Sequence, residues 1–283
     1  MSGDNASDER QLFGDRREEQ TLFVASELGV TRIAVAAAQV GQFSLIERCT
    51  ATDVAADAGT LLVGTDESVL VGTGDGLDSL SFGPAAAVGI DDDWLYAASP
   101  NGTVARYDRT LLAQGETPAE SIEWETIAEV TGPRRFDGEL LAADDGLFRV
   151  GSSLESLGLT AVHDVSRAGP FAATASGLYS QQDGEWIPEH DGTATAVVSD
   201  GDSAHAVIDG AVFERDDGDW QTLDLPGESQ PRLLAYAGGL SVIFADGSIS
   251  VAADPETSKD GRGGWRSQAL GLREPTGVAS ADQ

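Results

Sequence analysis

The chain has 283 residues, 48 of them Asp or Glu against 17 Lys or Arg, for a formal charge of −31 and a pI near 4.1. A field of that sign repels phosphate, so nucleic acid is not expected as a partner. No run approaches the length of a membrane-spanning helix, and the single cysteine, Cys49, excludes internal disulfides and multi-cysteine zinc sites.

Residues 1–20 carry nine charges and few apolar groups, which reads as a mobile acidic tail. They lack the basic start and apolar stretch of a secretory signal, so the expected location is the cytoplasm. From residue 21 onward a repeat takes over, and residues 21–283 read as one domain. In the first unit an apolar strand from Leu22 (LFVAS) is followed by a turn at Glu27, the strand TRIAV and the outer strand FSLIER. The second unit adds a short run ahead of these elements: DVAAD from Asp53, then LLVGT from Leu61, SVLVG and LDSLSF. The third reads AAAVGI, LYAAS, TVARY and IEWETIAEV, with the turn PNG at Pro100. The fourth reads RRFDG from Arg134, LLAAD, LFRVG and LESLGLTAV, and the fifth DVSRAG from Asp164, FAATA, LYSQQ and EWIPE. The sixth is TAVVS, HAVID, AVFER and DWQTLDL, and the seventh RLLAYA from Arg232, LSVIF, SISVA and GWRSQAL. Short apolar runs separated by Gly, Asp, Asn or Ser turns are hairpin signals.

The apolar strands start at residues 22, 61, 95, 140, 171, 205 and 240. Four strands recurring at this spacing predict an all-β fold: a seven-bladed β-propeller of four-stranded antiparallel blades. The first unit lacks an inner strand, and the C-terminal run PTGVASAD (from Pro275) has the character of one. Residues 276–280 are therefore expected to close the N-terminal blade and remove an exposed sheet edge.

Two turns, Asp183-Gly184-Glu185-Trp186 and Asp217-Gly218-Asp219-Trp220, resemble degenerate Asp-box hairpins, with the Trp rings expected to pack between blades. Lys259 is the only lysine, and Asp outnumbers Glu 29 to 19. With the many small residues, this resembles proteins of haloarchaea, where molar salt shortens the Debye length to about 3 Å and screens the self-repulsion. The chain from Leu22 to Ser280 resembles a haloarchaeal seven-bladed propeller family named for its fold, a resemblance that implies the fold and carries no activity.

No nucleophile elbow, zinc-protease motif or sialidase-like tyrosine site is recognisable, and the glycine-rich GTGDG at Gly72 precedes a strand instead of a helix. The Asp clusters at Asp91–Asp93, Asp144–Asp145, Asp200 with Asp202, and Asp216–Asp217 read as hydrated turns, and no metal or cofactor is expected. What stands out is position. Six of 16 arginines, Arg48, Arg134, Arg135, Arg167, Arg232 and Arg273, fall where outer strands lead into the next inner strand, together with His163 and His190. Those junctions gather at one mouth of the channel, where guanidinium groups suit carboxylate or phosphate. The competing reading pairs them with the hairpin-turn carboxylates Asp66, Asp144, Asp145, Asp209 and Asp246 on the same face. The expected function is a non-catalytic binding platform that docks a protein partner at this mouth. The alternative is a small-ligand binder or hydrolase-type enzyme acting there on a carboxylate- or phosphate-bearing molecule.

Overall fold

Short apolar runs, buried along their whole length and interrupted by turns rich in Gly and Asp, form antiparallel hairpins that bury both faces only when stacked. In the structure, a computed structural model, residues 19–36, 39–57, 59–72, 76–114, 123–252 and 264–281 are described. They form seven four-stranded antiparallel sheets. Blade 1 comprises β1 (Gln20–Ser26), β2 (Gly29–Ala36) and β3 (Gln39–Glu47), with β28 (Gly277–Ala281) as its inner strand. Blade 2 holds β4 (Ala51–Asp57) to β7 (Asp78–Ser79), and blade 3 holds β8 (Ala87–Ile90) to β11 (Glu125–Glu129). Blade 4 runs from β12 (Pro133–Asp137) to β15 (Leu154–Ser156), and blade 5 from β16 (Val162–Ser166) to β19 (Glu185–Asp191). Blade 6 runs from β20 (Ala194–Ser199) to β23 (Asp219–Thr222), and blade 7 from β24 (Pro231–Tyr236) to β27 (Trp265–Ala269).

Ring closure is as the C-terminal run implied: β28 pairs with β1, Leu22 opposite Ser280 and Val24 opposite Val278. Seven apolar clusters fill the seven spaces between neighbouring blades, including the one between blades 7 and 1. The Asp-box-like turns are two-residue hairpins with both central residues at positive φ: Asp183 and Gly184 at 51° and 86°, Asp217 and Gly218 at 47° and 93°. Trp186 and Trp220 pack into the spaces on either side of blade 5, and Trp220 meets Phe171 edge-on at 5.7 Å.

Two expected outer strands keep only about a third of their runs. LDSLSF leaves the sheet at Leu80, whose side chain is buried between blades 2 and 3, and Ser81 turns at φ 53°. LESLGLTAV stops at Ser156, because Leu159 and Ala161 adopt positive φ and Val162 already belongs to the next inner strand. The acidic tail lies outside the described residues up to residue 18, and Gln20 already starts β1.

One hydrogen bond recurs around the ring and fixes how each hairpin turn meets the preceding connection. The residue after the second strand donates its N–H to that connection: Glu27 to Arg273, Asp66 to Thr50, Asp144 to Thr131, Ala175 to Ala161, Asp209 to Thr193 and Ala245 to Gln230. In blade 3 the residue after the strand, Ser99, donates instead to the Thr103 carbonyl of its own turn, and the next residue, Pro100, has no N–H to give. Some of these hairpins also press on the end of their own blade's outer strand. A Cβ at Gly102 (φ 99°) would lie 2.0 Å from the Val130 carbonyl oxygen, so only glycine fits there.

Candidate functional site

The inner strands line the channel, and most of them break register as they enter it, at residues 51–53, 133–135, 162–164, 194–196 and 231–233. Extra residues at two of these breaks, Thr52 and His163, bond the next blade. Thr52 Oγ1 donates to the Ala85 carbonyl (2.7 Å), and Thr276, just ahead of β28, donates its Oγ1 to that of Ala51 (2.9 Å). His163 Nδ1 bonds the Ala194 carbonyl at 2.8 Å, so that nitrogen carries the proton. The following residue is Asp53 in blade 2 and Asp164 in blade 5, and each accepts the N–H of the next inner strand, from Val88 and Val197, both at 3.0 Å.

In blade 4 that position is Arg135, whose guanidinium ties the centre together. Nη1 lies 3.1 Å from Asp53 Oδ1, Nε 3.5 Å from Asp164 Oδ1, and Nη2 donates to the Thr276 carbonyl at 3.5 Å. Side chains from blades 4, 2 and 5 thus meet the backbone of blade 1 on one cation. Burial pushes the Asp164 carboxyl up to about 6, although Arg135 and the Val197 and Val165 N–H groups pull it down. Burial also raises Asp53 against the pull of Arg135. For Arg135, burial disfavours the charge, but Asp53, Asp164 and Asp137 outweigh it and hold the guanidinium ionised. Arg135 and Asp164 border a depression of about 620 Å³ on the junction side and a cavity of about 490 Å³ on the other, so they form the floor between the two.

Of the eight residues singled out in the sequence, Arg134, Arg135, His163 and Arg232 line the junction-side depression. Arg134 pairs with Asp144 at 2.6 Å and Arg232 with Glu274 at 2.6 Å, both at half-exposed positions. Arg48 and Arg273 are exposed in the connections on either side of blade 1, with no carboxylate within ion-pair distance among the described residues. His190 ends an outer strand and packs its ring on Phe213 at 4.7 Å, away from both cavities.

Arg167 departs from the expectation. It follows β16 in the turn to β17 (Phe171–Thr174), at the other end of the channel from His163. Four residues of extended chain separate them, about 13 Å at 3.3 Å per residue. There Arg167 sits 3.4 Å from Glu139 and donates its N–H to Asp137. The Asp clusters cap turns: Asp91 Oδ1 accepts from Asp93 and Trp94, and Asp200 Oδ1 from Asp202 and Ser203. Sequence reasoning missed Asp53 and Asp164 as the partners of Arg135. The repeated Asp-Val at the start of two inner strands was the available signal.

Among the described residues no helix is long and apolar enough to cross a membrane. No curated protein sequence matches this chain. Among solved structures the fold is similar to the extracellular domain of the putative hybrid two-component system BT4673 from B. thetaiotaomicron, with TM-score 0.57 and 11% identity over 81% of this chain. The match spans 37% of that longer chain. Apo AztD from Citrobacter koseri is similar over 93% of this chain and 98% of its own, with TM-score 0.55 and 10% identity. YCF48 bound to D1 peptide has TM-score 0.56 and 12% identity over 79% of this chain and 84% of its own. These likenesses are of fold. Residues 6–281 match the pattern of the HVO_0234-like beta-propeller family.

Proposed function

Since the chain belongs to the HVO_0234-like β-propeller family, described by its fold, we propose from the site itself that it is a non-catalytic, cytoplasmic binding scaffold. It docks an acidic segment of a protein partner at the junction-side mouth. The observation that carries this reading is the gathering of Arg134, Arg135, His163 and Arg232 in one depression of a chain whose formal charge is −31. The pairs Arg134–Asp144 and Arg232–Glu274 are solvent-exposed, and such pairs contribute only about 0–1 kcal/mol. An incoming carboxylate can therefore replace Asp144 or Glu274 at little cost. YCF48, a propeller of similar fold, is described bound to a peptide, which supports peptide docking as a use of this architecture.

A non-catalytic role is favoured by Asp164, the carboxylate best placed to act as a base. Its Oδ1 faces Arg135 and accepts the Val165 N–H, and its Oδ2 accepts the Val197 N–H. A base must present an accessible oxygen to the substrate proton, and only 13% of this side chain is exposed. The test is fluorescence anisotropy of labelled Asp/Glu-rich peptides and their Asn/Gln counterparts in molar KCl. Arg134→Ala with Arg232→Ala should weaken binding of the acidic peptide at least tenfold and leave folding intact. Equal binding of the neutral peptide, or of the variant, refutes the reading. A second reading, a small carboxylate or phosphate molecule in the same place, rests on the volume of about 620 Å³, within the range of ligand pockets. It requires saturable binding of citrate or phosphate that the same substitutions abolish.

A further inference from the structure

A groove of about 370 Å³ opens between blades 1 and 2, at the end of the channel away from the junction-side depression. β28 starts beside that depression, just after Thr276, and ends at the groove with Ala281. Phe23 and Ile46 of blade 1 and Leu61 and Leu77 of blade 2 form its apolar walls. Leu61 is buried, Phe23 and Leu77 are half-buried, and Ile46 is 40% exposed, an extra residue at a break in the β2–β3 register. Gly76 leaves one side open, since a Cβ there would meet nothing within 4 Å.

A second observation is independent of the first. The one charged residue among those lining the groove is basic: Arg32, directly opposite Phe23 in the β1–β2 pairing. It is exposed, and among the described residues no carboxylate lies within ion-pair distance of it, in a chain with 48 Asp or Glu. The groove therefore suits an apolar group with an acidic neighbour. The chain itself carries one at the right place. Thr21 and Ala281 form the lip of the groove, so residues 1–18 join the propeller there. Apart from Met1, the only large apolar side chains of that segment are Leu12 and Phe13, and Asp15 follows two residues later. Six residues of extended chain lead from Glu19 back to Phe13, about 20 Å, whereas β1 to β3 is only two strand spacings, about 10 Å. The pair can reach every part of the groove, and Gly14 supplies a place for the chain to fold back.

We propose that Leu12 and Phe13 of the same chain fill this groove, with Asp15 beside Arg32. The tether selects this occupant over an outside one, because a short linker presents its segment at an effective concentration on the order of millimolar. The segment that reads as a mobile acidic tail is thereby pinned at its one apolar pair. Docking there covers the apolar gap between blades 1 and 2 and leaves the junction-side mouth open.

Trypsin cuts after Arg10, Arg16 and Arg17, which bracket the pair, so limited proteolysis of the full chain in molar KCl is the test. Each rate is taken relative to that of a synthetic peptide of the same residues 1–20, which removes any effect of the substitutions on the protease itself. Leu12→Ser with Phe13→Ser should raise the relative rate at least tenfold with an unchanged thermal melt, and Arg32→Glu should raise it at least threefold. In a Cys49→Ser chain, Gly14→Cys with Gly76→Cys should form an intrachain disulfide under mild oxidation. Gly14→Cys with Phe43→Cys should not, because Phe43 pairs with Ile33, whose side chain packs toward blade 7. A wild-type segment cut as fast as the double Ser variant, an Arg32→Glu chain cut at the wild-type rate, or equal cross-linking at positions 76 and 43 overturns the proposal. A disulfide found only between chains gives the groove to the segment of a second copy and overturns it as well.

Discussion

Replacing Arg135 with Met removes the cation at the centre of the ring and keeps roughly its volume. Its two carboxylate partners are nearly inaccessible, with 3% of the Asp53 side chain and 13% of the Asp164 side chain exposed. Breaking a buried pair by removing one member typically costs about 3–5 kcal/mol, because a charge is left without compensation. Here two carboxylates lose the same partner, although each keeps a backbone N–H from the next blade. The expected loss is about 3–5 kcal/mol at pH 7.5. It should depend on pH. The guanidinium pulls both carboxyls down against burial, and without it Asp164 rises beyond about 6 and Asp53 rises further. A carboxyl raised in the folded state binds more protons folded than unfolded. Its stabilising contribution is therefore full below the unfolded value near 3.9 and is lost as pH climbs through the folded value. Lowering the pH to 5 favours protonation of the buried carboxyls, Asp164 first, so the deficit should shrink to about 1–2 kcal/mol, the size of the hydrogen bonds lost. Urea denaturation in molar KCl at pH 5 and 7.5 measures both numbers, and adding Asp53→Asn and Asp164→Asn should recover part of the loss at pH 7.5. A deficit below about 1 kcal/mol, or one equal at the two pH values, would show that Arg135 does not organise the centre.

Deleting residues 275–283 removes β28 and uncovers the edge of β1, so the single cooperative melt should broaden or fall sharply; a truncated chain melting like the full one refutes closure by β28. His205 is held by burial down to about 4, with Nδ1 2.7 Å from the Tyr236 hydroxyl. Unfolded histidine takes up a proton near 6.5 that the folded ring refuses, so this group's contribution is full above 6.5 and lost as pH falls toward 4. It opposes Asp164 between pH 4 and 6, and His205→Gln should unmask a gain in stability on acidification from pH 7 to 5; an unchanged pH profile of unfolding counts against it. The Cys49 thiol is pushed up to about 11 by burial and by the charges of Glu47 and Asp66. Alkylation at pH 8 should run about a hundredfold or more slower in the folded chain than in urea, and comparable rates would contradict that environment.

The sequence by itself determined the architecture, because a propeller is built from local signals. Each apolar run, each Gly/Asp turn and each interval between units is a short-range feature, and seven repeats of one pattern leave few folds open. Even the closure by residues 277–281 was legible, since a missing inner strand at one end matched a surplus one at the other. The site was only half legible. Arg134, Arg135, His163 and Arg232 reach the mouth because they sit at or just inside the start of inner strands. Arg167, just past the end of β16, emerges at the opposite end, because an extended strand crosses the channel within that distance. What Arg135 does was a tertiary decision. Its partners, Asp53 and Thr276, are 82 and 141 residues away in sequence and come together only when the ring closes. Nor does sequence rank the seven outer strands by exposure: the open face of β3 depends on where its register breaks turn Leu45 and Ile46 outward, which is settled by pairing with β2 in three dimensions.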